Sequence, residues 1–364
     1  MKKLSVLFDH QTFTNQEFGG ISKYFFELIN ILNEKNLVET NFSFKYHKNH
    51  YLQNLNHDQL CYIGKYNFRG KTRILKYYNK NVSRWNINKN EYDILHPTYY
   101  NNYFIKNLKK PYVITVYDMI HEKFPQYFKD SDEIIKEKKN AIINSTKIIA
   151  ISNSTKNDLL DFYNIPKNKV EVVHLATNSV APFSKETLKN KKPFFLFVGS
   201  RNGYKNFNFM VKAISRYLEK DYELFCIGGG TFKIEENNLF RKLNISDNVK
   251  WFSADENTLS MLYKSCEALI YPSLYEGFGL PILEAFASDC IVVSGSGGSL
   301  KEIGGDASIY FNYDDYKSLT EAVEKAIIVK KSDTEFVKRA TRQLNNFSWS
   351  NTAINTFKIY ESLL

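Results

Sequence analysis

Short runs of β-branched and aromatic residues recur along this chain, and segments with helical spacing lie between them. KLSVLF comes first. It leads into GGISKYFFELINIL, where Ile21, Phe25, Leu28 and Leu32 fall on one helical face. EYDILHP, PYVITVYD, TKIIAIS and KVEVVHL repeat the strand-like pattern. A second series opens with FFLFVG and continues through YELFCIGGG, NVKWFS, ALIYPS and CIVVSG. Strands alternating with helices in this way pack as parallel sheets covered by helices, an α/β fold. Several later strands end in glycine or serine. Open sheets of this kind bind ligands at the carboxyl ends of their strands.

Between the two series, the segment from Asn178 to Pro193 is polar, lacks periodicity and is rich in proline and lysine, so it reads as a linker. The 364 residues are enough for two domains at roughly 150 residues each. The first is expected to run to about residue 177 and the second from about 193 to 345. The apolar run Leu4 to Phe8 is too short for a secretion signal. No segment approaches the ~18 apolar residues of a membrane span. Cys61, Cys226, Cys266 and Cys290 form no CxxC pair, which argues against a zinc site and fits a reducing cytoplasm. The net charge of +10 points to an acidic partner: nucleic acid, anionic lipid or a phosphorylated small molecule.

YEGFGLPILEA, residues 275–285, holds the most specific chemistry. ALIYPS reads as a buried strand before it, and Pro281 suits the first turn of a helix after it. The loop therefore sits at a helix N-terminus, where free backbone N–H groups and the helix dipole attract anions. Gly277 and Gly279 let the backbone approach a phosphate, with Phe278 and Leu280 in the same turn. A carboxylate beside a phosphate would repel it, so Glu276 and Glu284 should face hydroxyls. Glu284 can accept two hydrogen bonds from a ribose diol, and Glu276 can hold hydroxyls of a neighbouring group. Such a pocket suits a nucleotide sugar. The plain alternative is a capped helix with two exposed glutamates.

The same stretch resembles the E-x7-E signature of retaining glycosyltransferases of family 4, which have the two-domain GT-B fold. GGI near the start, TVYDMIHE, FVGSRNGYKNF and the C-terminal FSWSNTAINTFKIY extend the resemblance over nearly the whole chain. It implies two Rossmann-like domains facing across a cleft, with a C-terminal helix, residues 349–364, crossing back to the first domain. It implies a donor in the second domain and an acceptor mostly in the first. In FVGSRNGYKNF, Arg201 and Lys205 follow Gly199 and supply the fixed cations a departing nucleoside diphosphate needs. Unaided by the resemblance, they read rather as a solvated basic loop. Asp130-Ser131-Asp132 spells DxD, but it precedes a helical pattern that Ser131 or Asp132 can cap. No catalytic metal and no cofactor are expected.

In the first domain, Gly19 and Gly20 either approach the donor phosphate or form a surface turn. Asp118 and His121 of TVYDMIHE are candidates for contacting the transferred sugar or acceptor, with Asp118 either binding a hydroxyl or orienting His121. Related chains carry His-Asp where this one has Tyr117-Asp118, so His121 is the available histidine. A structural turn is the other reading. Ser152 either caps the following helix or lines the site. His96 reads as structural, and His174 as part of the domain junction. GGG at 228–230 and GSGGS at 295–299 can each border the nucleoside.

Between Asp58 and Glu91 there is no acidic residue. Arg69, Arg73, Lys76, Lys80 and Arg84 recur at helical spacing, with Leu75, Tyr78, Val82 and Trp85 on a second face. This basic helix, about 65–89, is either a solvated face or a surface for anionic membrane or a lipid diphosphate. The expected activity is retaining transfer of a hexose, GDP-mannose being the favoured donor with UDP- and dTDP-sugars open. The acceptor would be a saccharide or lipid-linked saccharide in surface polysaccharide synthesis, handled in the cytoplasm or on the inner membrane face. A GT-B nucleotide-sugar epimerase and a nucleic-acid-binding protein are the rival readings. The second leaves the paired glutamates unexplained, and no nucleic-acid signature is present.

Overall fold

The computed structural model describes residues 3–55, 57, 59–66, 68–129, 131–178, 192–329 and 334–364. The chain divides into two compact units, Met1–Leu175 with Trp349–Leu364, and Ala176–Ser348. The expected boundary at residue 177 lies two residues from the observed one. Most of the expected linker, residues 179–191, lies outside the described residues.

In the first unit the strands run in the order Glu39–Phe42, Ser5–Phe8, Ile94–His96, then Val113–Val116, Lys147–Ala150, Val170–Val172. All are parallel, and a bridge between Leu95 and Tyr112 joins the two groups of three. In the second unit the order is Val249–Phe252, Glu223–Ile227, Phe194–Val198, Ala268–Tyr271, Val292–Ser294, Ser308–Tyr310, again all parallel. Helices cover both faces of such sheets, so successive side chains are buried on either side. Ser5–Phe8, Val113–Val116 and Ala268–Tyr271 are buried throughout, which is why they read as continuous apolar runs. Glu39–Phe42 and Ser308–Tyr310 were not expected. Each is the outer strand of its sheet and half-exposed, so it carries polar residues and gives no apolar run.

The helix Gly20–Glu34 buries Phe25, Leu28 and Leu32 as its spacing predicts. Leu28 has no exposed surface, and its replacement by Ala would cost about 2–5 kcal/mol. The C-terminal helix Trp349–Glu361 packs on this helix within the first unit. Its Thr352 Oγ1 donates to the His174 carbonyl at 2.7 Å. Its Tyr360 hydroxyl meets His96 Nδ1 at 2.5 Å, while His96 Nε2 meets Thr115 Oγ1 at 2.9 Å. Burial pushes the His96 pKa down to about 3, so a neutral ring fixes this junction. Sequence placed His96 in a structural role, and these contacts are of that kind.

The basic helix runs from Lys71 to Lys89. Its packing face is corrected. Leu75, Asn79, Ser83 and Ile87 are buried, whereas Tyr78 and Trp85 are exposed. Asn79 goes inward because its Nδ2 donates to the Tyr46 carbonyl at 2.7 Å and to Thr14 Oγ1 at 2.9 Å. Ser83 Oγ meets Ser43 Oγ and the Tyr103 hydroxyl, each at 2.5 Å. Polar residues with buried partners thus took positions that an apolar periodicity assigns to aromatics.

Candidate active site

The winding of the second sheet reverses between Phe194–Val198 and Ala268–Tyr271, since each half proceeds outward from these two central strands. Ligands of doubly wound sheets bind beyond the carboxyl ends of the strands at such a reversal. The loop 199–206 leaves the first strand there, and the loop 272–279 leaves the second. Leu274 N donates to the Tyr204 carbonyl at 2.8 Å and ties the two loops together.

The helix Leu280–Ala287 starts where expected, with Pro281 in its first turn. Gly279 is its N-cap at φ 116°, a conformation that favours glycine. The first backbone N–H groups of the helix therefore carry no capping side chain. Glu276 precedes this turn and is buried, with Lys205 Nζ 2.5 Å from its Oε1. The Lys205 ammonium also faces the Tyr204 and Tyr271 rings at 5.2 and 5.5 Å. Burial, and next the Glu276 charge, raise the Tyr271 phenol well above its usual pKa. Glu284, half-buried in the helix, accepts from the Tyr263 hydroxyl at 3.1 Å. Neither glutamate is an exposed surface residue.

GSGGS, one of two candidate borders for the nucleoside, braces the glutamate loop. Ser299 Oγ donates to the Phe278 carbonyl at 2.5 Å and to the Glu276 carbonyl at 3.0 Å. Gly298 has φ +64°, and a Cβ there would lie 2.4 Å from the Glu276 carbonyl oxygen. Ser299 and Gly298 belong to the GSGGS stretch named from sequence for the nucleoside border; their bracing of the glutamate loop was not foreseen. Their signal is a glycine-serine cluster directly after a buried strand.

Arg201 needs correction. Its guanidinium is buried and bonds Glu236 Oε1 through Nε at 2.7 Å. Nη1 donates to the Gly228 carbonyl at 2.8 Å, and Nη2 to the Gly230 and Thr231 carbonyls at 2.8 and 3.0 Å. Nη1 and Nη2 thus hold the turn after Glu223–Ile227 and Nε holds Glu236 on the helix Ile234–Lys242, whereas sequence reading placed the guanidinium on the donor phosphate. The partner Glu236 was missed. It also accepts from Lys233 N at 2.6 Å, which caps its own helix.

In the first unit, Gly19 is the N-cap of Gly20–Glu34, and Gly20 is its first residue. Asp118 Oδ1 accepts from Ile120 N at 3.0 Å and starts the short helix Ile120–Lys123. His121 on that helix is half-buried, with its ring 4.3 Å from Phe128. Burial lowers its pKa against the opposing pull of Asp118. Behind the turn, Lys138 Nζ lies 2.6 Å from Glu122 Oε2 and 3.0 Å from the Asp118 carbonyl. Tyr163 donates to Glu122 Oε1 at 2.7 Å. Glu122, missed by the sequence reading, anchors the turn that carries Asp118 and His121.

Of the two readings of Ser152, the structure shows the cap. It is fully buried, and its Oγ accepts from Thr155 N at 3.0 Å at the start of Asn153–Phe162. Of the DxD sequence, Asp130 lies outside the described residues, and Ser131 opens the helix Ser131–Asn144. Among the described residues no three His, Cys, Asp or Glu side chains converge as a metal site.

Comparison with known proteins gives one consistent result. The family model described as Glycosyltransferase Family 4 matches residues 18–179, and that described as Glycosyl transferases group 1 matches residues 181–343. The O-antigen chain mannosyltransferase RfbU of Salmonella typhimurium is 27% identical over 58% of this chain and 59% of its own length. The O-antigen chain mannosyltransferase B of Escherichia coli is 25% identical over 72% of this chain and 73% of its own. The chain thus spans about three-fifths of the first relative and three-quarters of the second. Among solved structures, sucrose-phosphate synthase from Thermosynechococcus elongatus superposes with a TM-score of 0.76 at 16% identity, covering 100% of this chain and 99% of the other.

Proposed function

Since the chain belongs to the group 1 glycosyltransferases of family 4, with the GT-B fold, we propose that it moves a hexose from a nucleotide sugar to a saccharide or lipid-linked saccharide, with retention at the anomeric carbon. Mannose from GDP-mannose is the first candidate, because both relatives named above are mannosyltransferases. The observation that carries the reading is the buried Lys205–Glu276 pair beside the uncapped N-terminus of the Glu284 helix, at the sheet reversal.

In the proposed reaction, the anomeric C–O bond to the diphosphate breaks as the acceptor oxygen bonds the same face of that carbon. The acceptor proton passes to the departing diphosphate oxygen. Lys205 and the backbone N–H groups of residues 277–280 stabilise the charge that develops there. Glu284 accepts from ribose hydroxyls, and Glu276 from hydroxyls of the sugar. Arg201 acts indirectly by holding the 228–231 turn. Asp118 and His121 are the first unit's candidates for contacting the acceptor. Lys205 and the backbone N–H groups of residues 277–280 take the place of a divalent metal in the proposed reaction.

The test is a panel of GDP-, UDP- and dTDP-sugars, scored first by thermal stabilisation and then by transfer to saccharide acceptors in excess chelator. One nucleotide class should raise Tm, and NMR of the product should show the donor's anomeric configuration. An inverted product would overturn retention, and loss of turnover restored by magnesium would overturn metal independence. Conversion of donor alone to an epimer would favour the epimerase reading.

We extend the proposal to a membrane contact. The helix Lys71–Lys89 carries Lys71, Arg73, Lys76, Lys80, Arg84 and Lys89 and no acidic residue. Ile74, Tyr77, Tyr78 and Trp85 are exposed among them. Among the described residues no helix is long and apolar enough to cross a membrane. The pairing of aromatic and basic side chains suits the headgroup region of an anionic bilayer.

A further inference from the structure

The sheet of the first unit also reverses its winding, between Ser5–Phe8 and Ile94–His96. A cavity of about 130 Å³ opens where the chain leaves these two strands. One wall is Gln11, held by Asp9 Oδ2 at 2.7 Å and by Asn101 N, which donates to Gln11 Oε1 at 2.8 Å. Asp9 is itself fully buried and accepts from Thr98 N and the Tyr103 hydroxyl at 2.8 and 3.1 Å. The wall is therefore rigid before any ligand arrives.

The lining groups divide by charge. Lys76 and Lys80 reach the cavity from the basic helix, and neither makes a hydrogen bond or ion pair among the described residues. His10 is 3% exposed and lines the same space. Its Nδ1 meets Thr14 Oγ1 at 3.3 Å, while its Nε2 is buried with no partner among the described residues. Burial, with help from Lys76 and Lys80, lowers its pKa to about 4, so the ring is neutral. Whichever ring nitrogen carries the hydrogen, Nε2 is a buried polar atom left without a partner. Glu137 stands opposite, with Asn101 Nδ2 donating to its Oε1 at 2.7 Å. Burial raises its pKa, and the two lysines oppose that rise.

Two ammonium groups without an ion pair among the described residues call for an anion, and the unpartnered His10 Nε2 donates to it in the tautomer that carries the hydrogen there. A carboxylate and an amide beside aromatic Tyr99 and Tyr103 call for sugar hydroxyls and a sugar face. The volume is below the ~300–1,000 Å³ of sites for drug-sized ligands, so it admits one charged group and the edge of one ring. We propose that this cavity is a subsite for an acidic saccharide unit, a sugar bearing a phosphate or a carboxylate. Lys76, Lys80 and His10 hold its anion, and Glu137 accepts from its hydroxyls. As the acceptor's subsite it rests on the glycosyl-transfer reading, but binding there does not require turnover. It also gives Lys76 and Lys80 a task separate from the exposed membrane-facing side of the same helix.

The test is titration of the full chain with mannose 1-phosphate, glucuronate, neutral mannose and inorganic phosphate. Calorimetry measures affinity, and the His10 ring NMR signals report on the cavity. Mannose 1-phosphate or glucuronate should bind at least tenfold more tightly than mannose and shift the His10 signals. Which of the two binds tells phosphate from carboxylate. The Lys76→Gln/Lys80→Gln double variant should lose at least tenfold for the acidic sugar while GDP affinity stays as in wild type. Glu137→Gln should bind inorganic phosphate at least as well as wild type but narrow the advantage of mannose 1-phosphate over it. Equal affinity for neutral and acidic sugars, silent His10 signals, or an equal loss of GDP binding in the double variant would overturn the subsite. Acidic-sugar binding without any transferase activity would sustain the subsite and sink the acceptor role alone.

Discussion

Lys205 Nζ lies 2.5 Å from Glu276 Oε1, and both side chains are little exposed at 13% and 11%. The two residues come from loops on either side of the sheet reversal, so the pair fastens those loops to each other. A buried pair of this kind is costly to break from one side, because the survivor keeps an uncompensated charge. Lys205→Met should therefore lower both stability and turnover, with about 3–5 kcal/mol as the upper range for the stability loss. Glu276→Gln leaves the Lys205 ammonium without its counter-charge and should also lower Tm, by less than Lys205→Met because the Gln amide oxygen can still accept from it. It should still reduce kcat/KM by roughly 10²–10³-fold, in the range of a lost preorganised polar contact. Parallel melting and kinetic measurements separate the two effects. Wild-type turnover by a folded Glu276→Gln protein would remove Glu276 from the mechanism.

Arg201 and Lys205 should behave differently although they lie four residues apart. Arg201 is bound to Glu236 and to three backbone carbonyls. Arg201→Gln should cost stability first, and Glu236→Gln should do the same. Removing both should cost less than the sum, with a coupling of about 0.5–3 kcal/mol in a double-mutant cycle. If Arg201→Gln keeps its melting temperature and loses only nucleotide affinity, the guanidinium serves the phosphate after all.

The strands of the interior were legible because burial on both faces makes them continuously apolar, as in FFLFV and ALIY. The outer strands Glu39–Phe42 and Ser308–Tyr310 were not, since exposed Glu39 and half-buried Asn41 alternate with buried Thr40 and Phe42 and give no such run. YEGFGLPILEA showed its helix start, because Gly279 and Pro281 are local signals that need no tertiary context. What sequence could not show was which charged residue each cation would meet. Glu236 lies 35 positions from Arg201, and Glu276 lies 71 from Lys205. Spacing along the chain carries no trace of such partners. The cavity at His10 was hidden for the same reason, as its walls come from four separated segments.

Acid should destabilise the first unit before the carboxylates titrate. His10, His47 and His96 are buried, and burial lowers their pKa values to about 4, 4 and 3 from 6.5. Unfolding frees each ring to take a proton, so the unfolded state binds more protons between those values and 6.5. Stability is therefore full above pH 6.5 and falls as pH drops toward the folded values. At pH 5 each histidine should remove about 2 kcal/mol relative to pH 7.5. Urea denaturation at the two pH values measures the difference. A midpoint that holds steady between pH 7.5 and 5 would mean that these rings are not neutral inside the fold.

The exposed side of the helix Lys71–Lys89 should bind anionic vesicles. Arg69, Arg73, Tyr77 and Trp85 are all exposed, and none of them lines the His10 cavity. Each basic residue near such a surface contributes about 1 kcal/mol, so Arg69→Gln with Arg73→Gln should weaken binding roughly thirtyfold. Tyr77→Ser and Trp85→Ser should weaken it further by removing the interfacial rings. The charge effect should shrink as salt rises, because an ionic strength of 1 M cuts the screening length to about 3 Å. Transfer to a lipid-linked acceptor should fall more than transfer to a short soluble one, and donor affinity should stay constant because these residues belong to the first unit. Vesicle cosedimentation at low and high salt reads the first effect, and paired acceptor assays read the second. Equal binding by wild type and the fourfold variant at low salt would make this a solvated face.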